Sequence, residues 1–465
     1  MRYYNKNTKE FAFEPPSTKL FVLGAIILLI SVIFFGFWLL MSGVPVEDTY
    51  IADFWEIIMH YTNVIWTFLL IAALIIMLVA LVFRLTQTEA SKIRVMIEKG
   101  LFCYAYGNPL NFKEGERLPK VKCKCIGDHV FELSISATTS AISEIQNISS
   151  SISSCLNKGK YLRYAVTQTD TDVAYNEVRF IIEDVTVNHT VYADCIDDLI
   201  VMNKALLLVQ DNTYIDLTTS GSTLCAGKTR SGKTTAIASL LLQVLAAGRD
   251  NYGSEVMIVD PKQAELSRLP HVYTLDDNGE ARGILQAIQC FADSIRKRQK
   301  VLNDMSEKKG DAVKWWDAGF EVSCLFIDEY VALRSLLPKR TGKEDDYSLA
   351  TFDALIKRIV TMGASAGCYV IISIAEASVE EGGLPAMLRS AMTTKILFKP
   401  TLPEARLLWD SDKLKDLPER VYNAGDAWFS STDGVHDRVS YVHFPVMRFP
   451  VYSVLGEYLD IYYHM

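Results

Sequence analysis

The sequence predicts three structural parts: a two-helix membrane anchor, a small α+β domain, and a larger α/β domain. Three observations support this. Two long stretches near the N-terminus carry no charge, the segment after them mixes strand and helix patterns, and a glycine-rich loop joins a short strand to an apolar helix. The 465 residues are enough for about three domains.

The two uncharged stretches are residues 21–41 and 64–83. As helices, both are long enough to cross a hydrocarbon core of about 30 Å. A buried pair of soluble helices or a cleaved signal peptide fits less well, because two such stretches follow one another and no small-residue cleavage site stands out. We therefore expect an N-terminal tail (residues 1–20) and a two-span transmembrane anchor (residues 21–83) with a short extracytoplasmic loop (residues 42–63).

Basic residues around the two stretches predict the orientation. The connecting residues 42–63 contain acidic side chains but no lysine or arginine, whereas basic residues lie on both outer flanks: Arg2, Lys6, Lys9 and Lys19 before the first stretch, and Arg84, Lys92, Arg94 and Lys99 after the second. By the positive-inside rule, the protein is a multi-pass protein of the cell membrane with both termini in the cytoplasm. The nine cysteines all follow residue 100, so they lie in a reducing compartment where disulfides are not expected.

Residues 84–205 mix two periodicities. Residues 120–136 alternate as paired strands do, residues 140–159 have helical spacing, and residues 161–168 and 177–185 read as further strands. The segment contains no cluster of catalytic residue types. The prediction is a small α+β domain that links the anchor to the rest of the chain and contributes to assembly.

Residues 227–234, GKTRSGKT, match the phosphate-binding pattern G-x-x-x-x-G-K-[ST]. The glycines let the backbone turn so that its N–H groups face phosphate oxygens, Lys233 would lie against the β- and γ-phosphates, and Thr234 would hold Mg²⁺. A chance glycine-lysine turn is the alternative, but the strand before and the helix after favour the loop. The predicted cofactors are ATP and Mg²⁺, and the predicted ATP-binding residues are Gly227, Lys228, Thr229, Arg230, Ser231, Gly232, Lys233, Thr234 and Thr235.

The second half of the predicted site is residues 322–330, VSCLFIDEY, an apolar strand that ends in Asp328 and Glu329. Asp328 would hold Mg²⁺ through a bound water, opposite Thr234, and Glu329 would act as general base on the attacking water. An acidic pair at a strand end can equally cap a helix. Together with the loop it predicts hydrolysis, with Lys233, Asp328 and Glu329 as catalytic residues and Thr234 and Asp328 as metal ligands.

Further motifs occur in a fixed order along the chain. A strand runs into Asp260-Pro261-Lys262 and then Glu265-Leu266, followed by the basic helix ADSIRKRQKVL, the IDEY motif, the turn GASAG, the strand CYVIISIA and the segment RSAMTTKILFK. In this order they resemble the FtsK/SpoIIIE family of DNA-pumping ATPases over roughly residues 212–432. The resemblance implies a RecA-like motor domain, here residues 206–465, that assembles as a hexameric ring with DNA in the central pore.

The chain departs from the family pattern at two places. Where the family usually has A-T-Q-R-P, this chain has Ser373-Ile374-Ala375-Glu376-Ala377, and where the family often has R-A-A-G, it has Ala364-Ser365-Ala366-Gly367. The first change removes a glutamine sensor and its arginine. We expect hydrolysis to persist and its coupling to DNA to differ.

The overall plan indicates a role within this family. This chain differs from the chromosome-segregating members in two ways. It has two predicted spans, and its last stretch, residues 441–465, is too short for a winged helix. The plan resembles the conjugative coupling proteins of Gram-positive plasmids and integrative elements, which bring a relaxase–DNA complex to a secretion channel. The expected function is therefore ATP-driven DNA translocation at the membrane. The alternatives are a protein-secretion ATPase, a pump that partitions chromosome or plasmid DNA, and a non-translocating scaffold.

Two further groups of basic residues are candidates for the motor cycle. Arg389 and Lys395 lie in the late basic segment and are candidates to reach the γ-phosphate of a neighbouring copy; a solvated rim is the alternative. Lys339, Arg340 and Lys343 are candidates to contact DNA phosphates without reading bases, although the acidic residues 344–346 would partly cancel their charge in an exposed loop. The net charge of −8 excludes a protein coated with basic surface, but a pore motor needs only a few inward-facing cations.

Overall fold

The computed structural model describes residues 3–8, 10–44, 49–106, 108–137, 142–172, 174–339, 346–375, 384–414 and 421–464. They divide into two compact units, Met1–Val187 and Asn188–Met465. The division falls before the boundary expected at residue 205. The reason is that strand β5 (Tyr192–Ala193) pairs in parallel with strand β16 (Val446–Met447), which ties residues 188–205 to the second unit.

The first unit begins with two long helices, α1 (Pro16–Ser42) and α2 (Thr49–Leu85). Both are long and apolar enough to cross a membrane. Helix α2 begins at Thr49, so residues 49–63 of the expected extracytoplasmic loop are helical. A helix of 37 residues is longer than the roughly 20 residues that cross a hydrocarbon core, so the extracytoplasmic position of residues 42–63 stays a prediction.

Small residues let α1 and α2 approach closely. A Cβ atom on Gly24 would lie 2.7 Å from Cγ of Met77, so a larger residue at Gly24 would force the helices to shift. The Ser31 hydroxyl donates to the carbonyl of Trp66 at 2.8 Å. Small residues and an interhelical hydrogen bond are the usual means of association between helices in lipid.

The rest of the first unit is the predicted α+β arrangement. Its described strands form an antiparallel sheet in the order β1-β2-β4-β3, and the apolar faces of this sheet and of its helices share one core. The alternation of residues 120–136 correctly predicts the β1–β2 hairpin. The bounds are β1 Val121–Gly127, β2 Val130–Ser136, β3 Tyr164–Thr171, β4 Glu177–Asp184, α3 Glu89–Phe102, α4 Ile142–Gln146 and α5 Ser149–Cys155.

The described strands of the second unit form one mixed sheet in the order β10-β9-β11-β12-β8-β13-β14-β15. The strands from β10 to β13 in this order are parallel, and the last two are antiparallel. The bounds are β6 Leu206–Gln210, β7 Thr213–Asp216, β8 Thr223–Ala226, β9 Val256–Val259, β10 Val272–Tyr273, β11 Ser323–Ile327, β12 Cys368–Ile374, β13 Thr394–Phe398, β14 Asp426–Ser431 and β15 Ser440–His443.

The helices of this unit cover the sheet, and buried side chains lie in two clusters built from sheet and helix residues. The helix bounds are α6 Lys233–Ala246, α7 Arg282–Lys309, α8 Tyr330–Leu336, α9 Leu349–Met362, α10 Ala386–Ala391, α11 Leu402–Leu408 and α12 Val451–His464. The predicted α/β class is confirmed. Strand β12 lies between β8, which leads into the phosphate loop, and β11, which leads into Asp328 and Glu329.

The predicted basic helix is part of α7, but one of its cations is buried. Arg298 is fully buried and donates from Nη1 to Asp250 Oδ2 at 2.9 Å, from Nε to the carbonyl of Ala366 at 2.8 Å and from Nη2 to the carbonyl of Glu321 at 2.6 Å. Asp250 is buried as well, so neither charge can turn to water. The guanidinium therefore joins α7 to the small-residue turn before β12.

We expect Arg298→Met to lower the free energy of unfolding by about 3–5 kcal/mol, because it leaves the buried carboxylate of Asp250 without its counter-charge and two carbonyls without the guanidinium donor. Arg296→Met is the matched control, since Arg296 is exposed on the same helix and should change stability by less than about 0.5 kcal/mol. Urea denaturation of the full chain in detergent, followed by tryptophan fluorescence, measures both. Equal effects of the two substitutions would contradict this role for Arg298.

Candidate nucleotide-binding site

The phosphate loop lies between β8 and α6, where both of its glycines are required. Gly227 has φ 155° and Gly232 has φ 89°. A Cβ atom on Gly227 would lie 2.8 Å from Cβ of Phe398, and one on Gly232 would overlap the backbone nitrogen of Gly425. The loop can therefore be tightly wound only with glycine at these two positions.

Lys233 is the first residue of α6 and is 7% exposed. Its Nζ donates to the carbonyl of Ile374 at 3.0 Å and lies 3.6 Å from Oε1 of Glu329. Ile374 ends β12 and Glu329 follows β11. The parallel strands thus bring the phosphate loop and the acidic pair together, as the sequence predicts, although about a hundred residues separate them.

Asp328 directly follows β11 and is 8% exposed. Burial raises the pKa of its carboxyl group, and Glu329 and Asp260 raise it further, while Ser373 and Lys233 lower it. The buried Ser373 hydroxyl adjoins this carboxyl group, yet it makes no well-formed hydrogen bond to any described residue. A divalent cation would favour the charged form of Asp328, as Lys233 already does.

Glu329 has a left-handed backbone, φ 47°, which is uncommon for a residue with a side chain. Its Oε1 lies 3.1 Å from Nζ of Lys262, in addition to the contact with Lys233. One oxygen of the predicted general base is therefore shared by two ammonium groups. We did not predict the contact with Lys262 from the sequence, although the Asp260-Pro261-Lys262 motif marked the position.

Asp260 holds Lys262 in place. It is fully buried just past β9, and its carboxylate accepts N–H groups from Lys262 at 3.1 Å, Ala264 at 2.9 Å and Ser267 at 3.1 Å. These bonds fold the loop after β9 tightly around one side chain. The loop consequently presents Lys262, which is half exposed, toward Glu329.

A second loop covers the phosphate loop. The backbone N–H of Gly425 donates to the carbonyl of Ser231 at 2.9 Å, and Nζ of Lys228 lies 3.4 Å from Glu404 of α11. Neither contact follows from a motif, because Gly425 and Glu404 lie far along the chain from the loop. They fix the outer side of the loop against the antiparallel end of the sheet.

The residues present fit Mg²⁺ and ATP. The Ser231 hydroxyl is buried without a hydrogen-bond partner among the described residues, and the two glycines leave the backbone N–H groups free of overlying Cβ atoms. Lys228, Thr229, Arg230 and Thr235 are exposed around this cradle, and Thr234 is partly buried at the start of α6. An unpaired buried hydroxyl beside a buried ammonium group is the arrangement expected where phosphate oxygens bind.

Arg389 and Lys395 have partners within their own unit. Arg389 Nη1 donates to the carbonyl of Leu407 at 2.9 Å, and Lys395 Nζ donates to the carbonyl of Leu408 at 3.1 Å. Both therefore bind the last carbonyls of α11, a favourable place for cations. Burial lowers the pKa of Lys395, and the charges of Lys413 and Arg389 lower it further. Their role in a neighbouring copy's site stays a prediction.

Of the three basic residues predicted to contact DNA, the structure describes Lys339, while Arg340 and Lys343 lie outside the described residues. Lys339 is exposed after α8. The N–H of Leu349 donates to the carbonyl of Pro338 at 3.0 Å, and Lys339 lies next to this contact.

A phosphate loop, a buried lysine and two carboxylates at the carboxyl edge of a parallel sheet define a P-loop ATPase domain. A model of the FtsK/SpoIIIE family matches residues 200–333, which include β6 to β11 and the phosphate loop. In this segment the chain is similar to the FtsK/SpoIIIE family, in agreement with the resemblance read from the motifs.

A curated relative agrees with this assignment. The FtsK domain-containing protein YdcQ of Bacillus subtilis (strain 168) is 28% identical over 178 residues, which are 38% of this chain and 34% of YdcQ. The chain thus matches about a third of the length of that relative.

Solved structures show lower similarity. The pCW3 conjugation coupling protein TcpA, in a monomer form with ATPγS, is 15% identical with a TM-score of 0.44, covering 74% of this chain and 94% of that one. EssC (ATPases 2 and 3) from Geobacillus thermodenitrificans is 14% identical with a TM-score of 0.43, covering 60% and 53%.

The contact between Lys262 and Glu329 predicts a change in turnover. Lys262→Met should raise basal ATP turnover about two- to fivefold, because it frees an oxygen of Glu329 from an ion pair worth about 1 kcal/mol or less. Lys262→Arg is the matched control, since it retains the charge and should leave turnover near that of the parent. Phosphate release by the full chain in detergent measures both. Lower turnover in Lys262→Met would mean that Lys262 assists Glu329.

Proposed function

We propose that this chain is a membrane-anchored, ATP-driven DNA translocase that acts as a coupling protein in conjugative transfer. One observation carries the proposal. The chain combines a nucleotide site, in a segment that matches the FtsK/SpoIIIE family model, with two helices that are long and apolar enough to cross a membrane. The flanking basic residues support an orientation with both termini and the motor in the cytoplasm.

Within the site we assign the following roles. Lys233 and the backbone N–H groups of residues 228–235 hold the phosphates, and Thr234 and Asp328 hold Mg²⁺. When bound, Mg²⁺ would neutralise the charge that develops on the phosphate oxygens. Glu329 accepts the proton of the attacking water through an oxygen that Lys262 must release.

Translocation requires partners outside this chain. We propose that copies of the chain form a hexameric ring, in the manner of the family, with DNA in the pore. Lys339, Arg340 and Lys343 would contact the DNA backbone, and Arg389 or Lys395 would complete a neighbour's site. A relaxase and the proteins of a secretion channel are the expected further partners.

A protein-secretion ATPase is the second candidate. The net charge of −8 favours it, because a chain with more acidic than basic residues does not attract nucleic acid in general. The two candidates differ in one measurable property, the response of ATP turnover to DNA.

The proposed roles in catalysis predict two distinct defects. Lys233→Ala should abolish nucleotide binding, whereas Glu329→Gln should bind ATP and lose at least about a hundredfold in turnover, since general bases contribute about 10²–10⁴. Glu307→Gln, an exposed carboxylate of α7, is the matched control and should change neither property. Binding of a fluorescent ATP analogue and phosphate release measure the two effects. Normal hydrolysis by Glu329→Gln would remove it from the role of base.

The proposed contact with DNA predicts a selective loss of the stimulation of ATP turnover by DNA. DNA should stimulate the turnover of the full chain in detergent, with a response that falls as salt rises. Alanine at Lys339, Arg340 and Lys343 together should abolish this stimulation and leave basal turnover near normal.

The matched control replaces Lys300, Lys308 and Lys309, which are exposed on α7, so that it removes the same charge elsewhere on the motor. It should keep the stimulation. A parent chain that DNA does not stimulate would favour the protein-secretion ATPase, and a chain without turnover would favour a scaffold. Stimulation that survives alanine at Lys339, Arg340 and Lys343 would mean that other residues contact the DNA.

A further inference from the structure

Three metal-ligating side chains meet away from the nucleotide site, at the end of the last helix. His271 lies just before the edge strand β10, while Asp460 and His464 lie on α12. Their ligand atoms all lie within 4.8 Å of one another, and Nε2 of His271 lies 3.2 Å from Oδ1 of Asp460. All three side chains reach solvent, so a metal ion has access to them.

The helical partners are held rigidly. Asp460 and His464 are four residues apart and share one face of α12. The opposite face is anchored in the core, where Leu455, Leu459 and Tyr462 are buried. The Tyr463 hydroxyl also donates to the carbonyl of Val256 in β9 at 2.8 Å, which fixes the last turn of α12 to the sheet.

His271 is positioned from the other side. Its ring stacks on the ring of Tyr463 with centroids 4.3 Å apart and an angle of 19° between the planes. Its backbone is left-handed, φ 60°, and the next residue, Val272, pairs with Ile258 of β9. The imidazole is therefore held between a strand of the sheet and an aromatic side chain that is itself hydrogen-bonded to the sheet.

The donor set selects one class of ion. Two imidazole nitrogens and one carboxylate suit Zn²⁺ and similar transition metals, whereas Mg²⁺ and Ca²⁺ prefer oxygen ligands throughout. With bonds of about 2.0–2.2 Å, two ligands of a tetrahedral zinc are about 3.3–3.5 Å apart, close to the distance between His271 and Asp460. A ligand atom of His464 lies within 4.8 Å of those of His271 and Asp460, and water can take the fourth position.

We propose that His271, Asp460 and His464 bind one zinc-type divalent cation that joins the end of α12 to the edge of the central sheet. An ion pair between His271 and Asp460, with the ring of His464 edge-on to that of His271 at 6.3 Å between centroids, is the simpler explanation. It does not require the ligand atoms of all three side chains to converge within 4.8 Å, as they do. None of the three residues takes part in the nucleotide site.

Equilibrium dialysis of the full chain in detergent, stripped with EDTA and titrated with ZnCl₂, tests the proposal. We expect one equivalent to bind to this site. His271→Gln and His464→Gln should each raise Kd at least about tenfold, because a lost ligand should cost no less than a lost outer-shell partner. Asp460→Asn should also weaken binding.

The matched control is His436→Gln. His436 makes a similar contact to a carboxylate, Nδ1 to Asp433 Oδ2 at 2.7 Å, without a third ligand in the described part of the chain, so zinc binding should be unchanged. Exposed thiols such as Cys125, Cys195 and Cys290 could also take up zinc. Co²⁺ distinguishes them, because a thiolate ligand adds a charge-transfer band in the near ultraviolet that nitrogen and oxygen ligands lack.

The site is supported if both histidine variants lose the tightly bound zinc ion, His436→Gln retains it, and Co²⁺ gives no thiolate band. Zinc affinity that survives in His271→Gln and His464→Gln overturns it, as does a parent chain that binds no zinc. A thermal unfolding midpoint for each metal-free variant close to that of the metal-free parent excludes misfolding as the cause of a loss.

Discussion

The buried ammonium group of Lys233 is the interaction on which the nucleotide site depends. A lysine that is 7% exposed must find oxygen partners inside the protein, because an unpaired buried charge is costly. The partners are the carbonyl at the end of β12 and the carboxylate after β11. Both are within reach only because these parallel strands end at one edge of the sheet, beside the strand that leads into the phosphate loop.

This dependence explains which parts of the site could be predicted from sequence. The phosphate loop and the pair Asp328-Glu329 each follow an apolar strand, and parallel strands expose their carboxyl ends on the same side. Two local patterns, far apart in the chain, therefore predict one site without knowledge of the strand order. The apolar helix after the loop is predicted equally well, since Gly248, with φ 86°, lies just beyond its end.

The remaining contacts depend on order and packing that no local pattern contains. Gly425 and Glu404 reach the phosphate loop only because β13 and β14 extend the sheet beside β8. From the sequence, Arg298 is expected at the surface, because it lies in a basic stretch. Only the fold places Asp250 and two carbonyls around it. Helix α2 likewise extends before the uncharged stretch 64–83, because a helix continues through polar and charged residues wherever its backbone bonds can form, whereas hydropathy marks only the apolar part.

The loop after β9 connects the two regions that matter most in the second unit. At its start, three N–H groups converge on the carboxylate of Asp260, which orients Lys262 toward Glu329. At its end, His271 stacks on Tyr463, whose hydroxyl returns to Val256 at the base of the same strand β9. The loop is thus fixed at both ends to one strand. The last helix therefore supports the nucleotide site, because it holds the far end of the segment that positions a cation beside the predicted general base.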